Sequence, residues 1–297
     1  MSPTKPLTIT GYSTALFSTW YFVDELACLF DCGDGMSAGL LQKARKIRHV
    51  FLSHADRDHL AGLLQFNQLN ARPELSIHYP RHCGSFPALA AFSGKFDPQV
   101  SGTKWLPLDP GDEVQLRADL VVRAVANRHI ETVPSHSKSL SYFVEEVSRK
   151  LKPEYRGKPG KEIAALRSQK GERAITDEHR RIKLAFSGDT PIETDGRYDD
   201  AEVLIHESTF LSSDEIAADD PCLIRHSALD QVMEMASNSR IGTLILGHFS
   251  TRYHDHQILE AIDRLRERYK IEFPIKVILP GQVGRDVLAN EALSLNP

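Results

Sequence analysis

The chain has no apolar run long enough to cross a bilayer, no internal repeat, no low-complexity tract and no CxxC pair among its four cysteines. Each absence removes a class of function. Without about 20 consecutive apolar residues, a helical membrane-spanning protein is excluded, and no membrane partner is expected. Met1 to Thr10 carries one lysine and no apolar h-region, so no secretory signal is expected and the cytoplasm is the expected compartment. Cys28, Cys32, Cys83 and Cys222 then read as small buried hydrophobes of a reducing compartment, not as ligands. Positive charge is also short. Thirty-six Lys and Arg face 40 Asp and Glu, a net charge of −4, which argues against a general nucleic-acid binder.

What is present is a globular composition: 297 residues, 41% hydrophobic and 26% charged. The length allows one large domain or two small ones. The expectation is a single domain over 1–297 with a basic insert at about 149–180. Between Arg149 and Lys183 there are 12 Lys/Arg against 5 Asp/Glu, a local +7 in an otherwise acidic chain. Such a segment can bind phosphate or be a solvated helical face.

The first half reads as strands at Leu7–Tyr12, Ala15–Val23, Leu26–Asp31 and Arg48–Ser53, with helical spacing at Ser37–Ala44 and Leu60–Asn70. Leu75–Tyr79 (strand), Ser85–Phe92 (helix) and strands at Glu113–Leu116, Leu120–Ala126 and Ser141–Val147 follow. Pro153, Gly157, Pro159, Gly160 and Gly171 mark the insert as a loop carrying a helix at Lys161–Ser168. Strands at Ile182–Phe186, Val203–Ile205, Thr243–Leu246 and Ile275–Leu279 then alternate with helices at Ser227–Ser237 and Asp255–Tyr269. Strand-rich halves followed by helices predict two packed sheets covered outside by helices.

One segment carries chemistry. Ser53-His-Ala-Asp-Arg-Asp-His-Leu-Ala-Gly62 places His54, Asp56, Asp58 and His59 within six residues, directly after a strand. Imidazole and carboxylate suit divalent metals, and the chain has 13 histidines, several beside acids. A polar loop with capping aspartates is the plain alternative, but it does not ask for four ligand types in six residues. Gly62 lets the following helix pack against that loop, where a side chain would crowd the backbone.

With this motif and four others the chain resembles the metallo-β-lactamase superfamily, and most closely ribonuclease Z, the endonuclease of tRNA 3′ ends. The others are Leu29-Phe-Asp-Cys-Gly-Asp-Gly35, Phe186-Ser-Gly-Asp-Thr190, Leu204-Ile-His-Glu-Ser-Thr-Phe210 with His226-Ser227, and His248-Phe-Ser-Thr-Arg-Tyr253. The resemblance implies an α/β, four-layer αββα sandwich and two divalent metal ions. One would be held by His54, Asp56 and a histidine after the Leu120–Ala126 strand, with His129 preferred because it sits where that strand should end and His136 as its rival. The other would be held by Asp58, His59 and His248, with Asp189 bridging. It also implies that Asp58, Glu207 and His226 act in catalysis: Asp58 orients the attacking water, and Glu207 holds His226 as the proton donor to the leaving oxygen. Arg252 and Ser250 would meet the substrate phosphate. A homodimer is expected on the same ground alone.

The chain departs from the family pattern at Asp56, where the H-x-H-x-D-H signature has a second histidine. The added carboxylate favours harder ions such as manganese or iron beside zinc. No counterpart of the long glycine/proline-rich arm that grips the tRNA elbow is evident. The expected function is therefore a two-metal phosphodiesterase acting on precursor tRNA. The alternatives are a hydrolase of small phosphodiesters or esters on the same fold, and a non-catalytic metal-stabilised binding protein.

Overall fold

The computed structural model describes residues 6–133, 135–216, 220 and 223–289. Among the described residues, thirteen strands form two sheets. The first holds β1 (Ile9–Thr14), β2 (Ser18–Val23), β3 (Cys28–Phe30), β4 (His49–Phe51), β5 (Ser76–Pro80) and β6 (Lys104–Leu108) in that order. Its first three strands are antiparallel, and β3 to β6 are parallel. The parallel crossovers supply α1 (Met36–Leu40), α2 (Arg57–Leu60), α3 (Leu63–Asn70) and α4 (Ser85–Phe96).

The second sheet holds β7 (Glu113–Arg117), β8 (Leu120–Ala126), β9 (Leu140–Leu151), β10 (Thr176–Phe186), β11 (Val203–Glu207), β12 (Thr243–Gly247) and β13 (Ile275–Val277). It is antiparallel from β7 to β10 and parallel from β10 to β13. The β9–β10 connection carries α5 (Gly160–Lys170) and α6 (Glu172–Ile175), while α7 (Leu229–Ser237) and α8 (Asp255–Tyr269) lie in the later crossovers.

Period-two alternation decides the layers. On the inner faces, Tyr21, Phe30 and Phe51 of the first sheet meet Val122, Tyr142, Leu184, Phe186, Ile205 and Ile245 of the second in one core. The alternate residues Trp20, Phe22, Leu29 and Val50 pack outward with Met36, Leu63, Phe66 and Phe86 of the helices. Phe143, Ala185, Leu204 and Leu244 do the same with Leu229, Val232, Ile258 and Ile262. The result is the expected αββα sandwich. Each fully buried ring contributes on the order of 2–3 kcal/mol by leaving water.

Several boundaries differ from the sequence reading, each for a physical reason. The expected strand from Ala15 is broken: Ala15, Leu16 and Phe17 form the hairpin turn between β1 and β2. Strand β6 was not expected, because Pro107 interrupts it; as a sheet edge it tolerates a residue without an N–H. The insert is less loop-like than its Pro and Gly content suggests. β9 and β10 extend into it as a two-stranded ribbon, polar on both faces and held by cross-strand ion pairs such as Arg149–Glu178 and Arg181–Glu146. Cys28, Cys32 and Cys83 are buried as expected, and Cys222 lies outside the described residues. Among the described residues no helix is long and apolar enough to cross a membrane.

The topology also brings loops together. β9 is antiparallel to both neighbours, so β8 and β10 run the same way, with β11 and β12 parallel to β10. The carboxyl ends of β8, β10, β11 and β12 therefore share one edge. There they meet the loop after β4, where Leu140 N–H donates to Ser53 O at 2.8 Å.

That loop returns to the sheet at Gly62, whose N–H donates to Cys32 O at 2.9 Å. A Cβ on Gly62 would sit 2.2 Å from Gly33 O, backbone that cannot swing aside. Gly62→Ala is expected to destabilise the protein by about 1–3 kcal/mol through overpacking and to displace the 54–59 loop. Urea denaturation of the variant checks this; an unchanged midpoint would show that the contact is not restrictive.

Candidate metal centre

Ser53 ends the strand segment and turns His54 inward, with both residues wholly buried. Two residues on, Asp56 opens the single-turn helix α2, which carries Asp58 and His59. A one-turn helix after an extended pair lets four side chains of a six-residue stretch converge. His54 Nε2 stands 3.6 Å from Asp56 Oδ2, and His59 Nε2 stands 3.5 Å from Asp58 Oδ2.

The remaining groups come from the second sheet. Asp189 follows β10, and its Oδ2 lies 3.1 Å from His59 Nε2, 3.3 Å from His248 Nε2 and 3.7 Å from His54 Nε2. His129, three residues past β8, puts Nε2 3.5 Å from Asp56 Oδ2. His248 follows β12, at the backbone conformation φ 62°, with Nε2 3.5 Å from Asp58 Oδ2. The ligand-type atoms of His54, Asp56 and His129, of His54, His59 and Asp189, and of Asp58, His59 and His248 each lie within 4.8 Å of one another.

His136 does not join them. It is exposed and packs against His82 with ring centroids 4.2 Å apart and the ring planes tilted by 54°. The turn after β8 explains the choice. Asn127 Nδ2 donates to Ser187 O and its Oδ1 accepts from His129 N–H, which fixes His129 over the site. The loop beyond closes on itself through Thr132 Oγ1 to His136 O.

Three of these ring nitrogens, Nε2 of His54, His59 and His248, are buried with no hydrogen-bond partner among the described residues. Leaving buried lone pairs or N–H groups unmet is costly. Imidazole and carboxylate donors so placed fit divalent cations, and the described residues hold enough of them for two. Each opposite ring nitrogen is pinned. His59 Nδ1 bonds Asp31 Oδ2 at 2.7 Å, His54 Nδ1 bonds Ser53 Oγ at 2.9 Å, and His248 Nδ1 bonds Thr209 Oγ1 at 2.9 Å. His129 Nδ1 lies 3.2 Å from Arg225 O. Fixing Nδ1 leaves Nε2 as the free donor atom, the usual arrangement around a bound metal.

The electrostatics agree. Burial works against the charge on Asp58 and Asp189, yet neighbouring imidazoles hold both carboxyls well below the usual range; His248 is a main contributor to each. Hydrogen bonds from His129 and His54 do the same for Asp56. Burial lowers the His54 pKa, whereas Asp189 and Asp31 overcome burial and raise that of His59. A proton on His59 thus balances carboxylate charge that a cation would otherwise balance, so cation uptake displaces it.

Glu207, at the end of β11, is buried and saturated. Oε1 accepts from Thr190 N–H at 2.8 Å and lies 3.0 Å from His226 Nδ1, while Oε2 accepts from Thr209 Oγ1 at 2.6 Å. Burial opposes protonation of His226, but the Glu207 carboxylate raises its pKa to about 9. Ser250 and Arg252 lie just beyond His248. Ser250 Oγ accepts from Arg252 Nε at 3.2 Å, and the guanidinium lies 5.3 Å over the Phe210 ring and 3.7 Å from Glu215.

Sequence reasoning missed Asp31, Ser53, Thr209 and the Leu16 amide, which donates to Asp58 Oδ2 at 3.1 Å. Asp31 had one legible signal: an acid at the very end of an apolar strand, inside the motif that carries the resemblance. Asp31→Asn is expected to weaken metal affinity about 10–100-fold, since it can no longer accept from both Ser53 and His59 in the same way. Chelator competition measures this, and equal affinity in the two proteins would rule out an anchoring role.

Comparison with known proteins gives a consistent result. Residues 28–152 match the Beta-lactamase superfamily domain. A chloroplastic tRNase Z of Arabidopsis thaliana is 31% identical over 269 residues, covering 88% of this chain and 72% of that protein. Ribonuclease Z of Bacillus licheniformis is 28% identical over 276 residues, covering 80% and 82%. Among solved structures, the short form of human tRNase Z superposes with a TM-score of 0.58 at 17% identity, over 93% of this chain and 98% of that one. The metallo-β-lactamase fold protein YhfI of Bacillus subtilis gives a TM-score of 0.60 at 18% identity, over 95% and 100%.

Proposed function

The chain belongs to the ribonuclease Z family of metal-dependent hydrolases with the metallo-β-lactamase fold, and from that premise we propose that it is an endoribonuclease cleaving a phosphodiester at the 3′ end of precursor tRNA. The observation that carries the proposal is the convergence of seven imidazole and carboxylate side chains, three of whose buried ring nitrogens have no hydrogen-bond partner among the described residues. His54, Asp56 and His129 would hold one cation and Asp58, His59 and His248 a second, with Asp189 shared. Bound there, divalent cations acidify water near neutral pH and neutralise charge that builds on phosphoryl oxygens. The set is rich in oxygen donors, so manganese or iron(II) joins zinc as a suitable ion.

The chain's own groups supply the rest. Asp58, fixed by the Leu16 amide, accepts a hydrogen bond from the attacking water and so orients it. Glu207 cannot move, because backbone and Thr209 donors hold both its oxygens, and it keeps His226 protonated. His226 gives that proton to the leaving oxygen. Arg252, exposed and braced by Phe210, takes a substrate phosphate in its fork.

The ribbon of β9 and β10 supports an RNA substrate less through its strands than through its tip. Arg149, Lys158, Arg167, Arg180, Arg181 and Lys183 are already ion-paired. Lys152, Arg156, Lys161 and Lys170 make no ion pair among the described residues and lie on α5 or in the segment leading into it.

Three outcomes test this reading. Chelation of the purified protein is expected to abolish cleavage of precursor tRNA and added manganese or zinc to restore it, while Asp189→Ala lowers kcat by about 10²–10³-fold or more. Retained cleavage without metal would remove the proposal. His226→Ala is expected to lower kcat about 10²–10⁴-fold with metal content unchanged; a parallel loss of metal would make His226 a ligand and not the acid. Reversal of Lys152, Arg156, Lys161 and Lys170 to Glu is expected to weaken RNA binding and flatten its salt dependence, by about 0.7–0.9 in slope for each phosphate that is no longer neutralised. An unchanged slope would show that the ribbon does not touch RNA.

A further inference from the structure

The β1–β2 hairpin turns through Ala15, Leu16 and Phe17, where short hairpin loops ordinarily place glycine or asparagine. Leu16 adopts φ 68°, a left-handed conformation that its side chain disfavours. Leu16 is 89% exposed and Phe17 61%. Strain and apolar exposure at one tip do nothing for the fold, and they persist only where the surroundings enforce them. Here the enforcement comes from the metal centre. Leu16 N–H donates to Asp58 Oδ2 at 3.1 Å, and Ala15 N–H donates to the carbonyl of Phe249, the residue after His248, at 3.3 Å.

Between this tip and the segment after His248 lies a cleft of about 760 Å³. Tyr12, Phe17, Tyr253, His254 and His256 give it aromatic walls, and Asp255 lines it as well. The His254 and His256 rings lie within 9° of parallel, 5.7 Å between centroids. No lysine or arginine lines the cleft among the described residues. A carboxylate without a lysine or arginine repels a phosphate, whereas aromatic faces accept any base. The volume falls in the range of small-molecule sites.

We propose that this cleft is a stacking site for an unpaired nucleobase of the RNA strand that passes the metal centre, with Phe17 as the ring beneath it. The proposal rests on the nuclease reading above. Both walls are tied to groups placed at the centre, the tip through Asp58 and the 251–256 segment through His248 three residues earlier. A strand whose scissile phosphate lies at the centre and whose next phosphate lies on Arg252 brings the intervening base toward these rings. The strained turn then has a reason: it presents Phe17 as a rigid face already in place before substrate arrives.

The test compares the metal-loaded wild type with Phe17→Ala and Phe17→Tyr on three substrates: an RNA with an unpaired nucleotide beside the scissile bond, the same RNA abasic at that nucleotide, and a base-free chromogenic phosphodiester. For Phe17→Ala, the KM for the RNA is expected to rise about ten-fold relative to that for the diester, without a matching fall in kcat, and Phe17→Tyr restores it. On the abasic RNA the variants should converge. A proportional loss on the RNA and the diester overturns the proposal by showing that Phe17 only holds the centre together. An RNA KM indifferent to Phe17 overturns it too. A wild-type protein that turns over the diester but no RNA sinks the nuclease reading, and this site with it, and is recognisable as that separate failure.

Discussion

The carboxylate of Asp31 is wholly buried, and a buried carboxylate must have its oxygens met. Its Oδ1 accepts from Ser53 N–H at 2.7 Å, and its Oδ2 from Ser53 Oγ at 2.8 Å and from His59 Nδ1 at 2.7 Å. Those partners are the residue before His54 and one of the converging histidines. One side chain at the end of β3 therefore fixes where the 54–59 loop leaves β4, and it sets two imidazoles at once, His59 directly and His54 through the Ser53 hydroxyl. Asp31 itself sits at φ 55°, so the backbone bends there to aim the carboxylate inward. The close approach of Gly33 and Gly62 backs the same loop from behind. Loss of this anchor would leave the donor atoms near one another but free to rotate, and a metal site loosened in this way loses affinity long before the fold is lost.

The second half of the cluster depends on topology more than on any one bond. A sheet in which every strand alternated in direction would scatter its carboxyl ends over both edges. Here β7 and β9 run one way, and β8, β10, β11 and β12 all run the other. His129, Asp189 and His248 follow β8, β10 and β12, and Glu207 ends β11, so all four reach the same edge although some 120 residues separate the first from the last. Short turns then do the fine placement: Asn127 holds His129, and Thr209 links Glu207 to His248 by accepting and donating at one hydroxyl.

The sequence made the sandwich and most of the cluster legible because both follow from strong, local signals. Alternation in Trp20–Val23 and Leu184–Phe186 names two faces, and four ligand-type residues directly after the RHVFLS strand name a site. What it hid was set by distant partners. The end of the Leu120–Ala126 strand favours His129 over His136, but what holds His129 over the site is Asn127 reaching Ser187, 60 residues on. The strands of the insert carry no apolar alternation, and their pairing rests on opposite charges facing each other across a ribbon, which a reading of one segment at a time does not see. The strain at Leu16 is equally silent, since it is imposed by Asp58 from 42 residues away.

Asp56 shows how far a single substitution reshapes the proposed centre. With it, the two halves have the same donors, two imidazoles and one carboxylate each, plus the shared Asp189. Chemistry no longer tells them apart, so surroundings must. Asp58 is 10% exposed and held by the Leu16 amide, whereas Asp56 is 59% exposed and, among the described residues, is paired with the rings of His54 and His129. A carboxylate that keeps its water loses less on release of a cation than one that has already been desolvated. The half built on Asp56 is thus the one that faces the solvent, and the half built on Asp58 is the one locked to the hairpin tip. A histidine at 56 would have made the halves chemically different; the aspartate leaves the difference to burial and to one backbone N–H.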